Sequence, residues 1–267
     1  MKDIILGTGI SGFIIAACLD KLNKDFTIVG NLNDKSPSIL YLKYNNKKDL
    51  ALYFDIFNIE YNDSNIKEFT KKVRVGYLWT DGIIHESATD VMIESYYNKQ
   101  NRACTKSGMS DGINTFNAID LHKVYMLLKD RYSNKVINTY IDNDILDDLI
   151  HKYNPTTIYN TIFLTTCNYN NSFTEYVRKE TSMPNGFDYV YDCRPNSIVK
   201  RYTETESELI EYDGSNVIKV NNYYESPKIY STYDVKRNIN WIDIGRKATK
   251  TQLKQEDIIK YMLGNIK

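Results

Sequence analysis

The chain has 267 residues with 34 Lys+Arg against 34 Asp+Glu, a formal charge of zero. General binders of nucleic acid or anionic membrane draw on a surplus of Lys and Arg to displace counterions, so this balance argues against both. With 42% hydrophobic residues, 23 Tyr and 9 Phe, the chain can bury a large core, which excludes disorder throughout and fits one large domain or two interlocked smaller ones.

The segment 3–6 is a short apolar run ending at Gly7, and from Ser11 onward Phe13, Ile14, Ala16, Ala17, Leu19 and Leu22 recur at helical spacing. A second β-rich run covers 26–29, so the opening reads strand, glycine turn, helix, strand, the start of a doubly wound sheet. A strand over 38–43 and a helix over 49–58 follow. The runs 73–79 and 83–85 flank Thr80-Asp81-Gly82, where Asp-Gly signals a hairpin. The spacing predicts helices over 88–99 and 118–132 with a Ser/Gly-rich loop over 105–114 between them, then a strand over 135–141, a helix over 144–153 and a buried strand over 159–165. From there the pattern changes to short strands over 188–193, 197–203, 208–212, 217–220 and 228–231. A strand over 239–244, Gly245-Arg246 and an amphipathic helix over 251–263 close the chain.

No segment approaches the roughly 18 apolar residues of a membrane span. The N-terminal apolar run is broken by Gly7, Gly9 and Gly12 where a signal peptide would be continuous, so a cytoplasmic location is expected. Cys18, Cys104, Cys167 and Cys193 form no CxxC pair, and His85, His122 and His151 share no ligand spacing, so neither a zinc site nor a redox dithiol is expected.

The strongest chemical signal is Gly7-Thr8-Gly9-Ile10-Ser11-Gly12, a complete GxGxxG between a strand and a helix. The first glycine allows the tight turn, the second lets backbone approach a pyrophosphate, and the third permits close helix packing, while free N–H groups and the helix dipole meet the phosphate charge. The acidic residue that usually follows the second strand and accepts the ribose hydroxyls is missing, because that strand runs into Gly30-Asn31; Asn31 is the candidate ribose partner and Asp34 a less well placed one. Arg102 and Lys106 flank Cys104 beside the 107–112 loop and are candidates for binding a phosphate on a substrate.

A glycine turn near the N-terminus does not separate NAD from FAD. The segment Trp241-Ile242-Asp243-Ile244-Gly245-Arg246-Lys247-Ala248, followed by a helix, resembles the closing element of glutathione-reductase-type flavoproteins. Together with Ser197-Ile198-Val199-Lys200-Arg201-Tyr202-Thr203-Glu204, it is similar to UDP-galactopyranose mutases and related amine-oxidase-like flavoproteins. The resemblance implies that Gly7, Gly9 and Gly12 hold the FAD diphosphate, that Gly245 and Arg246 contact FAD near the ribityl chain, and that Arg201 faces the substrate as a catalytic residue. It further implies backbone bonds from Val136 to adenine and a position of Thr165 and Thr166 close to the FAD. Roughly 45% of the chain matches in pattern; a Gly- and His-rich loop after the second strand and a Tyr-x-Tyr after Arg246 are absent.

The expectation is therefore an α/β flavoprotein with a Rossmann-like FAD-binding domain over 1–45, 133–170 and 235–267, and a smaller α+β substrate or cap domain over 46–132 and 171–234. The expected activity is that of an oxidoreductase on a small amine or nucleotide-linked substrate, with a mutase-like flavin reaction close behind. An NAD(P)-dependent dehydrogenase and a non-catalytic dinucleotide-binding scaffold are the alternatives.

Overall fold

The computed structural model describes residues 2–32, 41–98, 114–139, 148, 151, 162–164, 174–175, 177–179, 186–197, 199–203, 207–209, 212–213, 224–225, 241–243 and 255–265. In chain order the elements begin with β1 (Asp3–Leu6), α1 (Ile10–Lys21), β2 (Phe26–Gly30), β3 (Tyr41–Lys43), α2 (Lys47–Ile56) and α3 (Asp63–Phe69). They continue with β4 (Thr70–Leu78), β5 (Ile84–His85), α4 (Asp90–Asn98), β6 (Thr115–Asp120), α5 (Leu121–Tyr132) and β7 (Val136–Asn138). The remainder comprises β8 (Ile162–Leu164), β9 (Thr174–Glu175), β10 (Val177–Lys179), β11 (Tyr189–Asp192), β12 (Val199–Thr203), β13 (Ser207–Leu209), β14 (Tyr212–Asp213), β15 (Tyr224–Glu225), β16 (Trp241–Asp243) and α6 (Gln255–Asn265).

The chain divides into two compact units, Met1–Thr70 with Ile119–Asn171 and Ile229–Lys267, and Lys71–Ala118 with Ser172–Lys228. Residues 46–70 and 119–132, expected in the smaller domain, belong to the first unit. The reason lies in their apolar faces: Leu50, Phe54, Phe57, Phe69, Val124, Tyr125 and Leu128 are buried in one cluster with α1. Side chains that pack on the central helix define the unit more strongly than sequence proximity does.

In the first unit five parallel strands run in the order β16-β8-β1-β2-β7. Numbered along the chain and read from β7, that order is 3-2-1-4-5, the doubly wound arrangement. β1 is buried at every residue, as a strand covered on both faces must be. Helix α1 is buried from Gly12 through Leu19 and lacks a polar stripe, because it packs on β1 and β2 as well as on α5 and α6.

In the second unit a largely antiparallel sheet runs β15-β10-β13-β12-β11-β4-β6, with β5 paired to β4. The pairing of β4 with β11 is parallel. The Asp-Gly hairpin forms, Tyr77 opposite His85 and Leu78 opposite Ile84, with Gly82 at φ 76. The helix expected over 118–132 begins only at Leu121: residues 118–120 finish β6, and the Asp120 carboxylate accepts from the His122 and Lys123 N–H groups and so caps α5. The strand 217–220 and the strand 228–231 lie outside the described residues, as does the helix 144–153 apart from residues 148 and 151. No helix among the described residues is long and apolar enough to cross a membrane.

Candidate functional site

In an open α/β sheet the ligand crevice opens beyond the carboxyl ends of the strands, where successive connections leave in opposite directions. Here that point falls at β1: the chain proceeds from β1 to β2 and β7 on one side, then returns to β8 on the other. The turn at that position is Gly7 to Gly12. The N–H of Gly7 donates to the Val29 carbonyl (2.8 Å), and Gly7 has φ 120, a backbone that a side chain would strain.

Gly9 is the N-cap of α1, in extended backbone, and no side chain caps the helix start. A Cβ placed on Gly9 would meet nothing within 4 Å, whereas one on Gly12 would lie 2.0 Å from the Gly7 carbonyl oxygen. The two glycines thus have different reasons to exist. Gly12 brings helix against turn, and Gly9 leaves open space over the N–H groups at the positive end of the helix dipole. A diphosphate fits this arrangement, which offers backbone donors and no carboxylate in the turn.

The neighbouring end of β2 is tied to the same turn. Thr8 Oγ1 donates to the Asn31 carbonyl (2.8 Å), and the Tyr125 hydroxyl donates to the Thr8 carbonyl (3.4 Å). The Leu32 N–H donates to Asn138 Oδ1 (2.8 Å), and Lys129 Nζ donates to the Leu32 carbonyl (2.6 Å). Thr8, Tyr125, Lys129 and Asn138 were not singled out for this role by the sequence. The signal available was the spacing of Tyr125 and Lys129, one helical turn apart on α5.

The structure brings together Gly7, Thr8, Gly9, Ile10, Ser11, Gly12 and Asn31. Val136 stands apart: it pairs with Ile28, two residues short of the carboxyl end, and its N–H is committed to the Ser133 carbonyl. It therefore has no free N–H for an adenine, and Asn138 is the β7 residue level with Gly30. Leu164 and Asp243, the last residues of β8 and β16, are level with Leu6, which precedes the glycine turn. Thr165 and Thr166 follow Leu164 directly, Gly245 and Arg246 follow Asp243 after Ile244, and all four lie outside the described residues, as do Arg102 and Lys106.

Arg201 belongs to the second unit. It lies on β12 beside a bulge opposite β13, where Val199 pairs with Leu209 and Arg201 with Glu208. Its guanidinium donates to the Tyr189 hydroxyl and lies 5.2 Å from the Tyr189 ring centroid. Burial works against its charge, but Tyr189, Tyr96 and Tyr191 more than offset it and hold the group a cation. Tyr191 stacks on Tyr77 and meets Tyr96 and Tyr189 edge-on, so Arg201 sits in a tyrosine cluster.

Nearby in the same unit Asp192 is fully buried and accepts from Arg194 Nε (3.0 Å), Arg194 Nη2 (2.6 Å) and Ser197 Oγ (2.7 Å). The hydrogen bond to Asp192 is the main reason that the Arg194 pKa is raised. With its acceptor sites committed, this carboxylate holds the β11–β12 connection together. Cys18 is a buried thiol whose pKa burial pushes up to about 12, so it is no nucleophile. No His/Cys/Asp/Glu group among the described residues could hold a metal ion.

No family model and no curated protein matches the sequence. Among solved structures, the chain is similar to a flavin-dependent halogenase from Xanthomonas campestris at 11% identity and TM-score 0.47, covering 98% of this chain and 69% of that one. It is similar to a putrescine oxidase at 9% identity and TM-score 0.44, covering 98% and 97%. It is also similar to a peptidyl tryptophan dihydroxylase at 9% identity and TM-score 0.40, covering 80% of this chain and spanning 46% of the dihydroxylase.

Proposed function

We propose that the chain binds FAD at the switch point of its parallel sheet and is a flavoenzyme, an oxidoreductase acting on a small amine or nucleotide-linked substrate. The observation that carries the dinucleotide reading is the open space over Gly9 at the uncapped start of α1, next to a β1 whose carboxyl end is level with those of β8 and β16. In this reading the backbone N–H groups of the Gly9 to Gly12 turn hold the diphosphate, the α1 dipole stabilises its charge, and the Thr8 and Asn31 end of β2 meets the adenosine ribose.

The choice of FAD over a nicotinamide dinucleotide is supported by the sequence Gly245-Arg246 after β16 and its likeness to flavoprotein closing segments. When bound, FAD would supply hydride or electron transfer, and the protein would contribute position, exclusion of water and local charge. Arg201 is the proposed substrate-facing cation, fixed by its bond to Tyr189. A mutase-like activity belongs to the same reading, because the Arg201 strand and the Gly245-Arg246 sequence are the segments that resemble those enzymes.

The visible absorption spectrum of the purified protein, with its cofactor released by heat and identified by chromatography, tests the proposal. A flavin spectrum and released FAD in near-equal proportion to protein are expected. A colourless protein that takes up no FAD overturns the flavin reading, and NAD(P)H titration then asks whether a nicotinamide dinucleotide occupies the turn instead.

A further inference from the structure

We propose that Thr8 fills the place of the usual ribose acceptor, so that no described residue at the adenosine end carries a carboxylate and the site tolerates a 2′-phosphate. The inference rests on the dinucleotide reading of the glycine turn. In sheets of this order a carboxylate at the end of the second strand accepts the ribose 2′-hydroxyl, and its charge repels a 2′-phosphate. Gly30 ends that strand here.

The missing side chain is a matter of space as well as of sequence. A Cβ on Gly30 would come 2.9 Å from Thr8 Cγ2 and 3.0 Å from both Thr8 N and Thr8 Oγ1. Thr8 is 5% exposed and its hydroxyl donates to the Asn31 carbonyl. The volume in which an acidic side chain would start is therefore occupied by a neutral residue from the glycine turn. Its proton is committed to Asn31, which leaves the hydroxyl oxygen as an acceptor.

Two further groups shape this end. The Asn138 carboxamide accepts from Leu32 N–H, and the Lys129 ammonium donates to the Leu32 carbonyl. Among the described residues at this end a hydroxyl, an amide and a cation stand where the usual carboxylate would be, so its Coulomb repulsion of a 2′-phosphate is removed and the nearby positive charge offsets part of the phosphate's own.

The full-length protein, freed of bound flavin, is titrated with ADP-ribose and with 2′-phospho-ADP-ribose, which share the adenosine diphosphate of FAD and of nicotinamide dinucleotides. Affinities within about threefold of each other are expected. In Thr8→Ala/Gly30→Glu the 2′-phosphorylated probe is expected to weaken by about tenfold or more relative to ADP-ribose. Melting without ligand is the second readout: Gly30→Glu lowers the midpoint, and adding Thr8→Ala recovers part of the loss. Additive losses in that melt overturn the placement of Thr8 in the acceptor's volume. A wild-type preference of about tenfold or more for ADP-ribose overturns the tolerance of a 2′-phosphate and leaves dinucleotide binding standing. Binding of neither probe overturns the dinucleotide reading and this inference together.

Discussion

At the residue scale the glycine turn separates ligand binding from folding. Gly9 has φ −74 and ψ 176, which alanine adopts freely, and its added Cβ meets nothing within 4 Å. Gly9→Ala is expected to melt within about 2 °C of the wild type. In the proposed site its methyl group would stand where the phosphate approaches, so flavin titration is expected to show a loss of about tenfold or more. Gly12→Ala puts a Cβ 2.0 Å from the Gly7 oxygen and is expected to lower both the melting temperature and the affinity. Loss of stability in Gly9→Ala with unchanged flavin affinity would show that the turn serves packing alone. The Asp81 carboxylate of the hairpin titrates in a defined direction. Its pKa is lowered below 3.8, chiefly by the hydrogen bond from the Ile83 N–H; burial opposes this, and the hydrogen bond with His85 adds to the lowering. A depressed carboxylate stabilises the fold above its unfolded pKa and loses that contribution as pH falls through the folded value. Protection of the Ile83 N–H, its exchange measured against the intrinsic rate at each pH, should therefore fall below about pH 4 in the wild type and lose that dependence in Asp81→Asn, which keeps the acceptor without the charge.

Helix endings carry the argument at the element scale. α1 and α2 both close on an asparagine with positive φ, Asn23 at 54 and Asn58 at 50. In each the following residue bonds back five positions, Lys24 N–H to the Leu19 carbonyl and Ile59 N–H to the Phe54 carbonyl. These are Schellman closures with asparagine in the position that glycine usually takes. Asn58→Gly is expected to hold or raise stability, and Asn58→Ala to cost roughly 1 kcal/mol in chemical denaturation. Equal midpoints for the two variants would show that the left-handed backbone is not under demand there. The local signals were readable for α1, α2 and the Asp-Gly hairpin, since periodicity and turn chemistry are contained in a few neighbouring residues. The start of α5 was misplaced because Ala118 and Ile119 continue a helical-looking apolar pattern; only their use in β6 and the capping bonds of Asp120 move the boundary.

At the scale of the molecule, the first unit is assembled around a helix from the chain's beginning by a helix from its end. Ile258, Ile259 and Met262 of α6 are buried in the same cluster as Phe13, Ile14 and Phe54. Ile259→Ala is expected to cost roughly 2–5 kcal/mol, read as a shift of the denaturation midpoint with unchanged slope. A loss within about 0.5 kcal/mol, the range of surface substitutions, would show that α6 adds little to this core. The sheet order places the glycine turn at the switch point because β8 and β16, far along the chain, pair on the other side of β1 from β2.

The sequence by itself determined the strand, glycine turn and helix at the start and the charge balance, because each depends on residues close together or on composition. It left the ends of the units in the wrong place at 46–70 and 119–132, since the membership of those segments depends on long-range burial against α1. The same holds within the candidate site. The missing acid after β2 was visible as Gly30-Asn31, but that Thr8 occupies its space, that Lys129 and Asn138 hold Leu32, and that the Val136 N–H is committed to Ser133 were decided only when separate strands and helices met. Local chemistry is written in neighbouring residues, whereas excluded volume and hydrogen-bond partners are properties of segments brought together by the fold.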